Sequence, residues 1–589
     1  MDYLSFVLCL LLAWIVINLL STVKKRNKSK PRILPPGPPK IPVFGNLFSL
    51  GTNPHISVTE LAKTYGPLMT LQLGQVPTVV VSSVDLAKEV LQKNDIFFCN
   101  RFVIDAFDAL NHQQSSLAFM PVCPAWRKLR KISNSKVFSA SKLNSSQSLR
   151  KKKVTDLLDY VQKQSEAGLA VDIGQVAFTT TLNLLSNTIF SVDLGDPSSG
   201  YAGGFRETVR GIMEEMGKPN FADYFPLLKK IDPQGIRRRQ TVHFGKLIDL
   251  FETMIDQRLQ GKRPPGSTPG DDVLDALLGI NQENSEELEL EKIPHLLLDL
   301  FGAGTDTTST TLEWALAELI RNPEKLTKAQ AELEEIIGKG NPVEESDIAQ
   351  LPYLQAVVKE TFRLHPPTPF LVPRKVDADV KLYGYTVPQN AQVLVNVRAI
   401  GREPNLWKNP NSFEPERFIG SKIDVKGCDF ELIPFGAGRR ICPGLPLAHR
   451  MIHLMLGSLI HRFDWKLEGG IPPEKMDMED KFGITLEKAQ RLRVIPALRR
   501  TDTTSSTLEW AMAELLCNPE KLKKAQAELQ ETIGKGNPVE ESDMARLPYL
   551  QAIVKETLRL HPAAPLLVPR KADSDVKLCG FTVKLSAGQ

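Results

Sequence analysis

The stretch Pro434–Gly444, PFGAGRRICPG, sets one cysteine in a frame of three glycines and two arginines. Glycines let a backbone turn tightly and bring its N–H groups to one point. Here that point is the sulfur of Cys442, where amide donors favour the thiolate, the form of cysteine that binds metal. The plain alternative is a buried structural cysteine in a glycine-rich turn, and a lone C-x-G would favour it. The surrounding sequence decides between the two.

Upstream, LLLDLFGAGTDTTSTTLEWA (Leu296–Ala315) reads as part of a long helix, with an acid and a hydroxyl adjacent at Asp306 and Thr307. A mid-helix Ser or Thr often only bonds back to the carbonyl four residues earlier. KETFRLHPPTP follows, with Glu360 and Arg363 three apart on one helix face, which in isolation reads as a solvated ion pair. Arg374 stands in LVPR, and Arg417 in PERF (Pro415–Phe418). Near the other end, WRKLR places Trp126 and Arg130 one helical turn apart. His449 and His453 are also four apart, but no H-E-x-x-H pattern accompanies them. His365 is expected to pack locally.

Taken together and in this order, the motifs resemble the cytochrome P-450 family, over about residues 1 to 498. The loop matches F-x-x-G-x-R-x-C-x-G through Phe435, Gly438, Arg440, Cys442 and Gly444. The helix matches A-G-x-[DE]-T-[TS] through Ala303, Gly304, Asp306, Thr307 and Thr308. The resemblance implies a mainly α fold with a minor β-sheet domain, and haem with Cys442 as the iron's thiolate ligand. A thiolate pushes electron density onto the iron and favours O–O cleavage. By the same resemblance Arg440, Trp126, Arg130 and Arg374 reach the haem propionates. Glu360, Arg363 and Arg417 form a structural brace behind the loop. Gly304 leaves space for dioxygen, Thr307 bonds the bound oxygen, and Asp306 feeds protons. The implied reaction inserts one atom of O2 into a substrate C–H bond with electrons from NADPH. No G-x-G-x-x-G follows a strand, so the reductase is expected to be a separate chain. A haem-thiolate isomerase or dehydratase would not need the Asp306–Thr307 pair.

Within the family, LPPGPPKIPVFGNL, FDALNHQQSSLAFMPVCPAWRKLRK and FSASKLNSSQSLR resemble plant microsomal enzymes of the geraniol 8-hydroxylase group. A monoterpene alcohol or other small terpenoid is the substrate this implies. Family position nominates Phe102, Phe107, Phe119, Phe301, Ala303, Phe370, Leu371 and Ile484 as its pocket, an apolar set that would hold substrate by burial. Each could equally be ordinary core.

The rest of the chain agrees with a membrane-tethered enzyme. Composition is ordinary for a globular protein, 42% hydrophobic and 24% charged, and a net charge of +5 over 589 residues does not point to nucleic acid. Seven cysteines without close C-x-x-C spacing argue against a disulfide framework or a zinc site and favour a reducing compartment. Tyr3 to Val23 carries no charge, about the ~20 residues a spanning helix needs. Lys24, Lys25, Arg26, Lys28, Lys30 and Arg32 follow it. The expected reading is an uncleaved anchor at 3–23 with the remainder cytoplasmic, at the endoplasmic reticulum by family. A basic and proline-rich hinge covers 24–40 and the catalytic domain 41–498. Within that domain, Leu68 to Ser83 is expected to form a small antiparallel sheet, Val154–Gln164 and Ile293–Arg321 helices, and Gly261–Asp272 a loop.

One feature is foreign to a single domain. TDTTSTTLEWALAELIRNPEKL from Thr305 recurs as TDTTSSTLEWAMAELLCNPEKL from Thr501, and the match runs ungapped to Val387 and Val583, roughly four in five positions identical. A repeat array needs at least about three copies. Residues 499–589 are therefore expected to be a non-functional partial duplicate of 305–387, and the chain could be an inactive fusion product. The copy has Arg499-Arg500 where the first has Ala303-Gly304, and it ends before any PERF or cysteine loop.

Overall fold

The computed structural model describes residues 33–195, 204–264, 270, 272–499, 502–534, 536–562, 576–578 and 581–583. The expected anchor at 3–23 and the first part of the hinge lie outside them. Among the described residues no helix is long and apolar enough to cross a membrane. Two compact units divide the chain, Met1–Ala497 and Leu498–Gln589.

In the first unit the apolar strands Leu68–Leu73 and Val76–Val81 pair antiparallel, from Leu68↔Val81 to Leu73↔Val76. Gly74 sits in the turn between them at φ +57°, where a Cβ would also strike Tyr224 O at 2.7 Å. The second strand pairs in parallel with Gln392–Val395, which pairs with Arg374–Lys375. Asn100–Arg101 closes the five-stranded sheet. Its last register sets Arg101 opposite Arg374. The proline hinge rests on this sheet: Thr70 N donates to Pro36 O at 2.7 Å, and a Cβ on Gly37 would lie 1.9 Å from Thr70 O. The glycine in PPGPP is thus required by a backbone-on-backbone contact, which no side chain could enter.

Apart from a three-stranded sheet and two short hairpins, helices make up the rest of this unit. Lys292–Arg321 runs 30 residues and is buried on nearly every side from Leu300 to Ile320, the mark of a helix at the centre of a large domain. Proline at 323 cannot continue it, and a new helix, Pro323–Ile337, begins there. The central helix packs on Ile173–Phe190 and on Leu445–Arg462. Gln147–Glu166 is longer than the apolar period alone indicated, because its first turns are carried by basic residues, with Arg150 held by Glu345.

The second unit comprises helices Asp502–Cys517, Pro519–Thr532 and Pro548–Leu560 and a hairpin, Val576–Leu578 with Phe581–Val583. Its internal contacts repeat those of the first copy. Trp510 stacks on His561 at 3.9 Å as Trp314 stacks on His365 at 3.9 Å. His561 meets Glu514 at 2.9 Å as His365 meets Glu318 at 2.7 Å. Glu528 accepts from the N–H groups of Tyr549 and Leu550, and Glu332 from those of Tyr353 and Leu354. Yet Leu508, Trp510, Met512 and Leu516 are exposed, so the copied helix shows water much of the apolar surface that its original buries.

Candidate active site

Cys442 lies where the glycine loop hands over to Leu445–Arg462. Gly436 and Gly438 have φ of +71° and +68°, and a Cβ on Gly438 would meet Leu91 O at 2.2 Å, so glycine is required there by both torsion and space. The Cys442 N–H donates to Phe435 O at 3.0 Å. Burial pushes the thiol up; the Gly444 amide, the Arg130 charge and the Leu445 amide, which donate to or face the sulfur, pull it back. Those amides also open an 18-residue helix, whose positive end favours an anion.

Beside the loop the fold gathers four guanidinium groups. Arg440 lies over the Trp126 ring at 4.5 Å and donates to Cys99 O at 3.0 Å. Arg101, paired with Arg374 in the sheet, donates to Val372 O at 2.8 Å. Burial, followed by Arg374, Arg440 and Arg130, drives Arg101 well below its ordinary value. Burial with Arg374 and Arg130 lowers Arg440 to about 10, and burial lowers Arg374 to about 10. Asp95 is the acid nearest Arg374, at 3.7 Å, and it is already paired with Arg439. Like charges held together away from water are costly unless an anion joins them. A thiolate-held haem with two propionates fits this donor set. Arg101 sits in no sequence motif; only its pairing with Arg374 reveals it.

Behind the loop Glu360 and Arg363 are fully buried. Arg363 donates to both Glu360 carboxylate oxygens, at 2.6 and 2.7 Å. Arg417 Nε at 3.0 Å and Glu414 N at 2.8 Å add two more donors. Arg363 also donates to Pro410 O and Ser412 O, and Trp407 lies under both guanidiniums. The solvated-pair alternative therefore fails for this copy. Phe362, on the same helix, meets Phe435 edge-on at 5.2 Å, a direct contact between the brace helix and the cysteine loop.

On the central helix, Gly302, Ala303, Gly304 and Thr307 interrupt the otherwise buried stretch, and Ala303 is exposed. Ala303 and Thr307 are one turn apart on a common face. Thr307 Oγ1 donates to Ala303 O at 2.8 Å; a hydroxyl that donates once still has acceptor capacity. The expectation for Gly304 needs correction. Its missing Cβ would lie 2.9 Å from Leu185 Cδ1, so it permits helix–helix packing, and the open face belongs to Ala303 and Thr307. Asp306 is buried and accepts from Thr485 Oγ1. Burial first, then Glu487, raises its carboxyl to about 6.

Of the nominated pocket residues, Phe107 and Phe119 meet as a tilted pair with ring centroids 3.7 Å apart. Leu371 adopts φ +54° and would meet a Cβ on Gly436 at 3.8 Å, which puts it at the cysteine loop. Phe102 donates its N–H to Pro373 O at 3.1 Å. Ile484 N lies 3.0 Å from a Cβ built on Gly217. Phe301 is fully buried among Phe190, Phe205 and Phe251, and Phe370 packs in a separate cluster with Leu50, Met69, Leu71 and Leu73. Phe301 stands two residues before Ala303, on a different side of the helix; Phe107 and Phe119 are buried in the same cluster as Phe301.

A cysteine presented by two amides beside a buried arginine cluster defines a haem-thiolate protein. The family model for Cytochrome P450 matches residues 35–492 and, again, 501–587. The chain belongs to the cytochrome P450 family. Drimenol monooxygenase from Persicaria hydropiper is 56% identical over 496 residues, 84% of this chain and 97% of its own. Geraniol 8-hydroxylase from Swertia mussotii is 54% identical over 494 residues, 84% of this chain and 99% of its own. The enzyme of the same name from Catharanthus roseus is 53% identical over 497 residues, 84% of this chain and all of its own. The protein is a haem-dependent monooxygenase that takes electrons from NADPH through a reductase.

Proposed function

We propose that this monooxygenase hydroxylates a small apolar terpenoid, in particular a monoterpene alcohol, at the open face of the central helix. The observation that carries this reading is the exposure of Ala303, with Thr307 one turn on, in the middle of a helix that is otherwise buried. An aromatic and aliphatic set, Phe102, Phe107, Phe119, Leu371 and Ile484, would enclose the substrate; apolar enclosure suits a terpene. The names of the relatives, geraniol 8-hydroxylase and drimenol monooxygenase, support the class.

In this reading the Cys442 thiolate would hold the haem iron, and Arg101, Arg130, Arg374 and Arg440 would face its propionates; Trp126, whose one N–H donates to Leu117 O at 2.9 Å, would support Arg440 with its ring. Bound haem supplies the activation of O2. Around it the chain's own groups exclude water, orient the substrate and place a proton: Thr307 accepts a hydrogen bond at the open face, and Asp306 holds the proton one residue before it. The charge-free run 3–23 and the basic residues after it support a single-pass anchor at the endoplasmic reticulum with the catalytic unit cytoplasmic. The second unit is read as a passenger, since its copy of the brace pair, Glu556 and Arg559, is exposed to water.

Substrate-induced difference spectra with geraniol, drimenol and a charged compound of equal size test the substrate class, with mass spectrometry of the products. Geraniol or drimenol should bind and gain one oxygen atom. Preference for the charged compound would overturn the assignment.

A further inference from the structure

Asp306 does not face the open side of its helix. Ala303 and Thr307 do, whereas the Asp306 carboxyl turns into the protein and is bound by the hydroxyl of Thr485. Thr485 is itself buried and lies between the strands Asp480–Lys481 and Glu487–Lys488, which pair as a hairpin. That segment is pinned on several sides. Leu486 N donates to Pro367 O at 2.8 Å, and Leu486 O accepts from Trp314 Nε1 at 3.0 Å. The end of helix Phe205–Gly217 closes over it, since a Cβ on Gly217 would lie 3.0 Å from Gly483 Cα. The hydroxyl of Thr485 therefore has a fixed seat, set by contacts with three other elements, and it presents that hydroxyl to one carboxylate oxygen.

The geometry points to Thr485 as a positioning residue of the oxygenation reaction: its hydroxyl holds the Asp306 carboxyl in the hairpin, fixing where that proton is kept relative to Thr307. The inference rests on the proposed role of Asp306 and adds what places it. Three further charged groups act on Asp306. Glu487, in the same hairpin, disfavours its ionised form, while Arg491 in the segment that follows and Arg210 in helix Phe205–Gly217 favour it. Glu313, two turns along the same helix, accepts instead from Leu492 N at 2.7 Å. With Thr485 donating, the ionised carboxyl is stabilised. Without it, burial and Glu487 act against ionisation unopposed by any hydrogen bond from the hairpin, so the proton is held more tightly and released at higher pH.

The test uses the full-length haem-loaded protein with Thr485→Val, which keeps the shape and removes the hydroxyl, Thr485→Ser, which restores it, and Asp306→Asn. Infrared titration of the buried carboxyl, identified by its loss in Asp306→Asn, gives a readout independent of turnover. Loss of one hydrogen bond to a charged group should raise its midpoint by about one to two pH units in Thr485→Val, with Thr485→Ser close to the parent. Product formed per NADPH should fall about tenfold near neutral pH in Thr485→Val while KM stays unchanged. An unmoved titration in Thr485→Val, or Thr485→Ser behaving like Thr485→Val, would overturn the proposal. If Asp306→Asn itself left coupling intact, the role of Asp306 would fail and the positioning role with it. If Asp306→Asn uncouples while Thr485→Val matches the parent, the positioning role alone is wrong.

Discussion

The brace behind the cysteine loop exists twice in this chain, once buried and once in water, which makes its energetic role measurable within one molecule. Glu360 and Arg363 are each 0% exposed, whereas their copies Glu556 and Arg559 are 55% and 66% exposed. Glu360→Gln removes the charge opposite two guanidiniums and weakens four hydrogen bonds, from Arg363 Nε, Arg363 Nη2, Arg417 Nε and Glu414 N. Breaking a buried pair by deleting one partner costs about 3–5 kcal/mol, because the remaining charge stays buried and uncompensated. Against a domain stability of about 5–15 kcal/mol that is a large fraction. Urea unfolding followed by haem absorbance should therefore show a much lower midpoint and a reduced haem content. Glu556→Gln should leave both unchanged, since exposed ion pairs contribute little. A loss of under about 1 kcal/mol for Glu360→Gln, with haem content intact, would refute the brace as the support of the loop.

Further outcomes follow from the same geometry. Thr307→Ala should keep haem binding but divert electrons from product to peroxide or water; unchanged coupling of NADPH consumption to product would remove Thr307 from proton delivery. Burial holds Asp306 at about 6 and Glu313 at about 7, so both bind protons more tightly folded than unfolded. Their contribution to stability is full below roughly pH 4 and is lost as pH rises through 6 to 7. Asp306→Asn and Glu313→Gln should each gain on the parent by at most about 3 kcal/mol at pH 8, with the gain gone near pH 4; parallel stability–pH curves would contradict this. A chain stopped after Leu498 should retain full haem content and turnover and express at least as well, because the second unit has its own internal contacts and an exposed apolar face. Loss of haem on truncation would make that unit part of the catalytic fold.

What the sequence made legible was local. The Pro434–Gly444 spacing, the E-x-x-R pair and the duplication could be read because each lies within one short segment or repeats literally. The residues it hid act across the chain. Thr485 reaches Asp306 over 179 residues, and Arg101 joins the arginine cluster only because a two-residue strand pairs it with Arg374. Neither sits in a motif. Phe301 and Gly304 show a different limit: a family position names a residue on the helix but not which neighbour its side meets in this chain. Leu185 and the ring of Phe190, Phe205 and Phe251 settle that in three dimensions. The two E-x-x-R copies are the sharpest case, since identical spacing yields a buried network in one unit and a solvated pair in the other. Burial is decided by what surrounds the helix: Glu360 also meets Arg417 and the Glu414 amide, whereas Glu556 and Arg559 face water.

The central claim is that Cys442 supplies the thiolate to haem iron. The carbon monoxide difference spectrum of the reduced protein tests it most directly, with Cys442→Ser and Cys428→Ser measured beside the parent. The parent and Cys428→Ser should show the thiolate-type Soret band, and Cys442→Ser should lose it. Retention of that band in Cys442→Ser, or its absence from the correctly folded, haem-loaded parent, would contradict the account.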